Sequence, residues 1–271
     1  MSSSDEIESK FFLAKSEQEL FYQKKNTSGL KVVGGCTYLS HLPAKAISTA
    51  SIPQLKEITK HERYIELGSA VTLSELEDIG ERNLPKILWE AVKQSANPFI
   101  RNIATIGGNI AAEDHRLSLF SPLLALDAQL ELKSQNESRF VAMQNFTNVP
   151  DGFIISQIRI PLNDWDISIY ERLGPSSTIS QESAGFSFLA ASEKTALSGI
   201  RIAFAGPFSF RCISLENRLL GHRLPLAYNE IESFIQEAKG IFDGAASEKK
   251  YAPILRAQFL NLLRFSLEQL T

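Results

Sequence analysis

The pattern of hydrophobic and polar positions predicts alternating strands and helices over the first half of the chain. Residues 30–33 predict a short buried strand, and the alternation in residues 128–132 is typical of a half-buried one. Apolar side chains at helical spacing in residues 84–95 predict an amphipathic helix. The order of strand, turn and helix signals in residues 11–60 indicates a small parallel βαβ sheet.

Two capping boxes indicate where helices begin. Ser16 precedes Glu19 by three positions, and Thr72 precedes Glu75 in the same way. In such a pair the hydroxyl and the carboxylate each satisfy a backbone N–H group at the helix start. Helices are therefore expected to begin at these two places, and a buried helix is predicted for residues 122–126.

The pattern changes near residues 163–164, where we place a domain boundary. Before the boundary, two apolar runs predict strands at 153–155 and 158–160. After it, residues 199–204 predict another strand, and two long helical patterns follow, the last with Pro253 in its first turn. The chain is therefore expected to be an α+β protein whose second domain combines a small antiparallel sheet with helices on one face.

The composition is that of an ordinary globular protein. Of the 271 residues, 44% are hydrophobic and 22% are charged, and the net charge is −3. A nucleic-acid binder would need a basic surplus, and no apolar run approaches the length of a membrane span. The polar, acidic N-terminus is unlike a secretory signal, so we expect a cytoplasmic protein. Since Cys36 and Cys212 are the only cysteines, we expect reduced thiols and no iron–sulfur cluster on this chain.

Two pairs of adjacent glycines, each after an apolar stretch, are the candidate functional feature. Gly34-Gly35 and Gly107-Gly108 allow backbone turns where a Cβ would clash, and such turns bare peptide N–H groups for an anion. Neither pair fits the G-x-G-x-x-G fingerprint or a P-loop. Taken alone, the pairs are explained nearly as well by two structural turns as by two loops that clasp a diphosphate.

Three sequence blocks around the second glycine pair match one family pattern. Residues 100–110 are I-R-N-I-A-T-I-G-G-N-I, between L-P-K-I-L-W-E-A at 84–91 and L-L-A-L-D-A at 123–128. These blocks resemble the FAD-binding subunits and domains of the molybdenum hydroxylases, which include the xanthine dehydrogenase and carbon monoxide dehydrogenase flavoproteins. The segment V-G-G-C-T-Y-L at 33–39 is similar to the A-G-G-T-D-L of that family.

The resemblance implies FAD as the cofactor and a two-subdomain FAD-binding domain with a fold of the vanillyl-alcohol oxidase (PCMH-like) type. The two glycine loops would hold the FAD diphosphate between the subdomains, and Ile110 would lie near the flavin ring. The implied limits are 1–163 for the FAD-binding domain, with subdomains of about 1–60 and 61–163, and 164–271 for the C-terminal domain. The implied cofactor-binding residues are Val33, Gly34, Gly35, Cys36, Thr37, Tyr38, Thr72, Ala104, Thr105, Gly107, Gly108, Asn109, Ile110, Ser118 and Arg172.

The chain departs from the family pattern at three places. Cys36 and Thr37 replace the Thr-Asp of the first loop. Ser118 stands where the family has an aspartate that is expected to form a hydrogen bond with FAD, so its loss would weaken or reposition the cofactor. Arg172, two residues after Tyr170, stands roughly where the family has a lysine, and arginine is not a neutral exchange for lysine.

Several polar residues near these blocks have ordinary structural explanations. His115, between Asp114 and Arg116, is expected to be a solvated loop residue and not a proton carrier. Arg101 is expected to anchor its loop on a neighbouring carboxylate, although it could also bind a phosphate. Asp127 is expected to orient the strand that follows it.

The resemblance implies electron relay as the function. A large molybdopterin-binding subunit would hydroxylate the substrate, a small [2Fe-2S] subunit would carry the electrons, and FAD on this chain would pass them to NAD or another acceptor. One alternative is a stand-alone FAD enzyme of related fold, for which the sequence offers no acid and base. The other is a scaffold subunit with degenerate FAD loops, which Cys36-Thr37 and Ser118 motivate and the intact block at 100–110 opposes.

Overall fold

The computed structural model describes residues 9–176 and 178–271, and their strands form three sheets. The strands are β1 (Lys10–Leu13), β2 (Lys31–Val33), β3 (Lys45–Ser48), β4 (Ile58–Lys60), β5 (Tyr64–Gly68), β6 (Gln129–Lys133), β7 (Ser138–Ala142), β8 (Ile154–Pro161), β9 (Ile167–Leu173), β10 (Ala184–Glu193), β11 (Ala196–Ala205) and β12 (Ser209–Arg211). The helices are α1 (Glu17–Asn26), α2 (Leu73–Ile79), α3 (Lys86–Ser95), α4 (Pro98–Arg101), α5 (Ile106–Ile110), α6 (Phe120–Ala125), α7 (Ile213–Leu219), α8 (Tyr228–Ala245) and α9 (Ile254–Glu268).

The first sheet is parallel, with strand order β1-β3-β2, which confirms the predicted βαβ unit. Helix α1 covers one face, where Leu20 packs with Ile47 and Ile52 in a small apolar core. The Ser16 hydroxyl accepts a hydrogen bond from the Glu19 N–H group at 3.2 Å, so the cap is present. The predicted capping box is incomplete, because the Glu19 carboxylate accepts from the Lys15 N–H group at 2.8 Å and not from that of Ser16. This sheet forms the first unit of the molecule.

The second sheet is antiparallel, with strand order β4-β5-β8-β6-β7, and packs on α2, α3 and α6. Strand β8 is continuous, so the prediction of two separate strands was wrong. The polar Gln157 stays in the ladder because it pairs with Gly68 on one side and Glu131 on the other. The register shifts beside Glu131, whose carboxylate accepts a hydrogen bond from Ser156 at 2.6 Å.

The third sheet is antiparallel, with strand order β12-β11-β10-β9. Helices α7, α8 and α9 cover one face, where Phe186, Phe204 and Phe259 are fully buried. Helices α3 and α6 cover the other face, so the expectation of helices on one face only was wrong. The reason is that Leu189 and Ala203 turn a second apolar face toward the core of the second unit.

Ion pairs join the three units. Lys133 of the second unit binds Glu17 of the first at 2.6 Å. Asp127, at the end of α6, binds Arg201 of the third unit at 3.0 Å and also pairs with Arg211. The predicted domain limits at about 60 and 163 stay a prediction, although the sheets change at similar places. Within the described residues, no helix combines the length and the apolar composition that crossing a membrane requires.

Candidate cofactor site

A cleft of about 750 Å³ lies between the first and second units. One wall comes from the end of α1, from β2 and from the loop after β2, and the other comes from α5 and the start of β8. Most residues expected from the sequence to hold a cofactor meet in this cleft. They are Val33, Gly34, Gly35, Cys36, Thr37, Tyr38, Ala104, Thr105, Gly107, Gly108 and Asn109.

The two glycine-containing loops touch each other at the base of the cleft. A Cβ on Gly35 would lie 1.9 Å from the Ile103 carbonyl oxygen, and one on Gly34 would lie 2.5 Å from the Thr105 hydroxyl oxygen. Both distances are far shorter than a van der Waals contact. Glycine is therefore required here by the close approach of two backbones from different units.

The second glycine pair forms the first turn of a short helix, α5, and not a β-turn between strands. Thr105 caps this helix, because its hydroxyl accepts a hydrogen bond from the Gly108 N–H group at 3.1 Å. The Gly107 N–H group donates to the Ser69 carbonyl at 2.9 Å. The expectation that this pair bares N–H groups for an anion was therefore wrong, because both groups already have acceptors inside the protein.

The first glycine loop has the free donors that the second lacks. In the described part of the chain, the backbone N–H groups of residues 34–38 donate no hydrogen bond to the protein. Cys36 has a left-handed conformation, φ 56°, which lets consecutive N–H groups of a loop converge on one side. The loop therefore offers a row of up to five donors beside the cleft, which suits an anion with several oxygens.

Two side chains of the second loop add polar groups to the cleft. Thr105 and Asn109 are both buried, at 4% and 9% exposure. The Asn109 carboxamide oxygen accepts a hydrogen bond from the Leu119 N–H group at 3.1 Å, which leaves its NH2 group for a ligand. The Thr105 hydroxyl, which accepts from Gly108, keeps its own proton to donate.

Burial raises the pKa of the Cys36 thiol above its ordinary value. The thiol donates a hydrogen bond to the Gly34 carbonyl oxygen at 3.6 Å, and its raised pKa keeps it protonated at neutral pH.

Four predicted site residues lie outside the lining of the cleft. Thr72 caps α2 in the predicted box with Glu75, and Ile110 is fully buried in the apolar core of the second unit.

Ser118 and Arg172 lie at the contact between the second and third units. The Ser118 hydroxyl is 2.6 Å from the Ser95 hydroxyl, and the Arg172 N–H group donates to the Gln94 side chain at 3.3 Å. Their cofactor role remains a prediction.

His115 is buried, at 6% exposure, so the expectation of a solvated loop residue was wrong. Burial lowers the pKa of its imidazole, which also forms a hydrogen bond with the backbone of Ser183 in the third unit. Arg101 binds the Glu77 carboxylate at 3.0 Å, as its structural interpretation predicted.

The cleft also contains charged residues that sequence reasoning missed. Lys24 and Lys31 line the first wall, and Glu113 and Asp151 line the other. Lys31 could have been found, because it stands two positions before Val33 on the same strand and side chains alternate along a strand. Asp151 could not, because it is distant in sequence from both glycine pairs.

Comparisons with known proteins agree on a single family. A family model described as the FAD binding domain in molybdopterin dehydrogenase matches residues 6–163. The xanthine dehydrogenase FAD-binding subunit of Escherichia coli O157:H7 is 37% identical over 103 residues, which are 37% of this chain and 35% of that protein. The nicotinate dehydrogenase FAD-subunit of Eubacterium barkeri is 27% identical over 146 residues, 50% of this chain and 49% of that protein.

These matches therefore span a third to a half of the relatives' lengths. The structural similarity to a known protein covers more of the chain than the sequence similarity does. A chain of the carbon monoxide dehydrogenase from Hydrogenophaga pseudoflava superposes with a TM-score of 0.79 at 21% identity, over 96% of this chain and 95% of that one. The fold is thus PCMH-like and α+β, as expected, and FAD is the cofactor. The chain belongs to the family of FAD-binding domains of molybdopterin dehydrogenases.

Proposed function

We propose that this chain is the electron-transfer subunit of a molybdopterin-dependent hydroxylase and that it holds FAD in the cleft between its first two units. The observation that carries the proposal is the row of free N–H donors at residues 34–38, packed against the Thr105–Asn109 segment of the second unit. A diphosphate has several acceptor oxygens and a negative charge, and unpaired backbone N–H groups suit both.

The residues of the cleft have distinct tasks in this proposal. The N–H groups of residues 34–38 would bind the diphosphate, and Thr105 and Asn109 would each donate one side-chain hydrogen bond. Gly34 and Gly35 keep the two loops close enough for both to reach one ligand. When bound, FAD supplies the redox chemistry, while the protein sets its position and excludes water.

The proposed partner subunits would carry the molybdenum cofactor and the iron–sulfur clusters. The relatives are named as FAD-binding subunits, and two cysteines cannot supply the four thiolates of an iron–sulfur cluster. In our proposal a large molybdopterin-binding subunit hydroxylates the substrate and a small [2Fe-2S] subunit delivers the electrons. FAD held in the cleft of this chain would pass them to NAD or another acceptor, in the cytoplasm.

Titration of the purified chain with FAD tests the proposal. We expect a flavin absorbance band at about 450 nm in the purified protein, or in protein that has been incubated with FAD and then separated from unbound FAD. At a free FAD concentration 100 times the Kd, the free energy of unfolding should rise by about 2.7 kcal/mol, which is measurable as a thermal shift.

The alternative outcomes are distinct. A colourless protein whose Tm does not respond to FAD would favour the scaffold alternative. Hydroxylation of a substrate by the purified chain alone would contradict the role as a subunit.

A further inference from the structure

The positive and negative side chains that line the cleft are equal in number. Two lysines, Lys24 and Lys31, stand on the first wall, and two carboxylates, Glu113 and Asp151, stand on the second. A diphosphate would bring further negative charge into this space. The position of each cation therefore decides whether the cleft attracts or repels such a ligand.

Lys24 is already engaged. Its ammonium group lies 3.7 Å from the Asp151 carboxylate, across the two units at one end of the cleft. The side chain of Lys31, in contrast, forms no ion pair or hydrogen bond within the described residues. Of the cleft-lining cations in the described chain, Lys31 alone lacks an anionic partner.

The position of Lys31 is set by its strand. β2 is an edge strand of the first sheet, and Val32 packs toward the apolar core of the first unit. Lys31 and Val33 therefore share the opposite face, because side chains alternate along a strand. Lys31 lies three residues before Gly34, where the free N–H groups begin, which is about 10 Å along an extended strand. A lysine carries its charge on a flexible four-carbon stem that spans much of this distance.

We propose that Lys31 supplies the counter-charge for the phosphates of the dinucleotide and thereby selects phosphorylated flavins over riboflavin. The inference rests on the proposed function, because it assumes that FAD occupies this cleft. The neutral N–H groups of residues 34–38 orient the phosphate oxygens, and the ammonium group of Lys31 neutralises their charge. Lys31 acts as a binding residue and takes no part in electron transfer.

Binding titrations with the full-length chain test this assignment. The variants are Lys31→Met, which removes the charge and keeps an unbranched stem, and Lys31→Arg, which keeps the charge. The control is Lys25→Met, because Lys25 is an exposed lysine on α1 outside the cleft. FAD and riboflavin are the two ligands, since riboflavin has the same ring without phosphate, and the Kd is measured by quenching of flavin fluorescence.

We expect Lys31→Met to weaken FAD binding about tenfold, which corresponds to about 1.4 kcal/mol, and to leave the affinity for riboflavin unchanged. Lys31→Arg and Lys25→Met should stay within about twofold of the wild-type Kd. The affinity of the wild type for FAD should fall with added salt more steeply than that of Lys31→Met, because salt screens the ion pair.

Two results would overturn the inference while leaving the proposed function intact. One is unchanged FAD affinity and salt dependence in Lys31→Met. The other is an equal loss for FAD and riboflavin, which would indicate that Lys31 supports the wall of the cleft and does not bind phosphate. Failure of the wild type to bind FAD would instead refute the proposed function, and the inference with it.

Discussion

At the scale of single residues, the cleft depends most on the two glycines of the first loop. A Cβ on Gly35 would meet backbone, the Ile103 carbonyl, whereas a Cβ on Gly34 would meet the hydroxyl of one side chain, Thr105. A side chain can change its rotamer, but the backbone of a packed loop cannot move without disturbing both units. The two neighbouring positions should therefore respond differently to the same substitution.

We expect Gly35→Ala to lower the free energy of unfolding by about 1–3 kcal/mol and to weaken FAD binding, because the two loops must separate. Gly34→Ala should cost less stability but still weaken FAD binding, because it displaces the Thr105 hydroxyl. Chemical denaturation and FAD titration measure the two effects. Gly240→Ala is the control, since nothing lies within 4 Å of its Cβ position on α8 and alanine favours a helix. Equal stability of all three variants would show that the loops do not pack as described.

At the scale of elements, the segment between α5 and α6 attaches the second unit to the third. His115 contacts the backbone of Ser183, and the N–H group of Arg116 donates to the Gly206 carbonyl at 2.8 Å. The Arg116 guanidinium lies over the Phe120 ring, 4.6 Å from its centre. The segment is therefore held by buried polar contacts, and one of the groups involved, the imidazole of His115, can change its protonation state.

We expect His115 to make stability depend on pH. Burial lowers the pKa of its imidazole in the folded state, so the unfolded chain takes up the proton first as the pH falls. The stability that neutral His115 provides is present above its unfolded pKa of about 6.5 and is lost as the pH falls from that value through the lower pKa of the folded state. His115→Asn should be less stable than the wild type at pH 8, and the difference should shrink toward pH 5. Denaturant titrations at a series of pH values measure this, and a constant difference would refute it.

Features that depend on residues close together in the chain could be predicted from the sequence, whereas contacts between residues far apart in the chain could not. The caps at Ser16 and Thr72 depend on residues three positions away, and both are present. The hydrogen bond from Gly107 to Ser69 joins residues far apart in the chain, so the sequence indicated a free donor where the structure has a paired one. The burial of His115 by the third unit was missed for the same reason.

At the scale of the whole molecule, the third sheet lies between two layers of helices. The sequence indicated α8 and α9 as its cover, because their apolar stripes follow the sheet in the chain. The second cover, α3 and α6, precedes the sheet by many residues, and its partners Leu189 and Ala203 look like any strand residues in the sequence. The sequence therefore did not indicate that the second and third units share one apolar core, as they do in the structure.

We expect residues 1–163 to fold poorly when expressed without the rest of the chain. The apolar faces of α3 and α6 would lose the cover of Tyr170, Leu189 and Ala203 and would face water. The fragment should bind a hydrophobic dye such as ANS and show weak near-UV circular dichroism, and the full-length chain should do neither. A fragment that binds no dye and unfolds cooperatively would contradict the shared core.

The shared helices also couple the proposed FAD cleft to a part of the chain that does not line it. Because α3 and α6 belong to the core of one unit and cover the sheet of the next, neither unit can melt without exposing the other. Calorimetry of the apoprotein should then show one endotherm for the second and third units together. The melting temperature of α8 and α9 should rise when FAD binds, although these helices do not line the cleft. The stability of the third unit is thus linked to a ligand that binds elsewhere in the molecule.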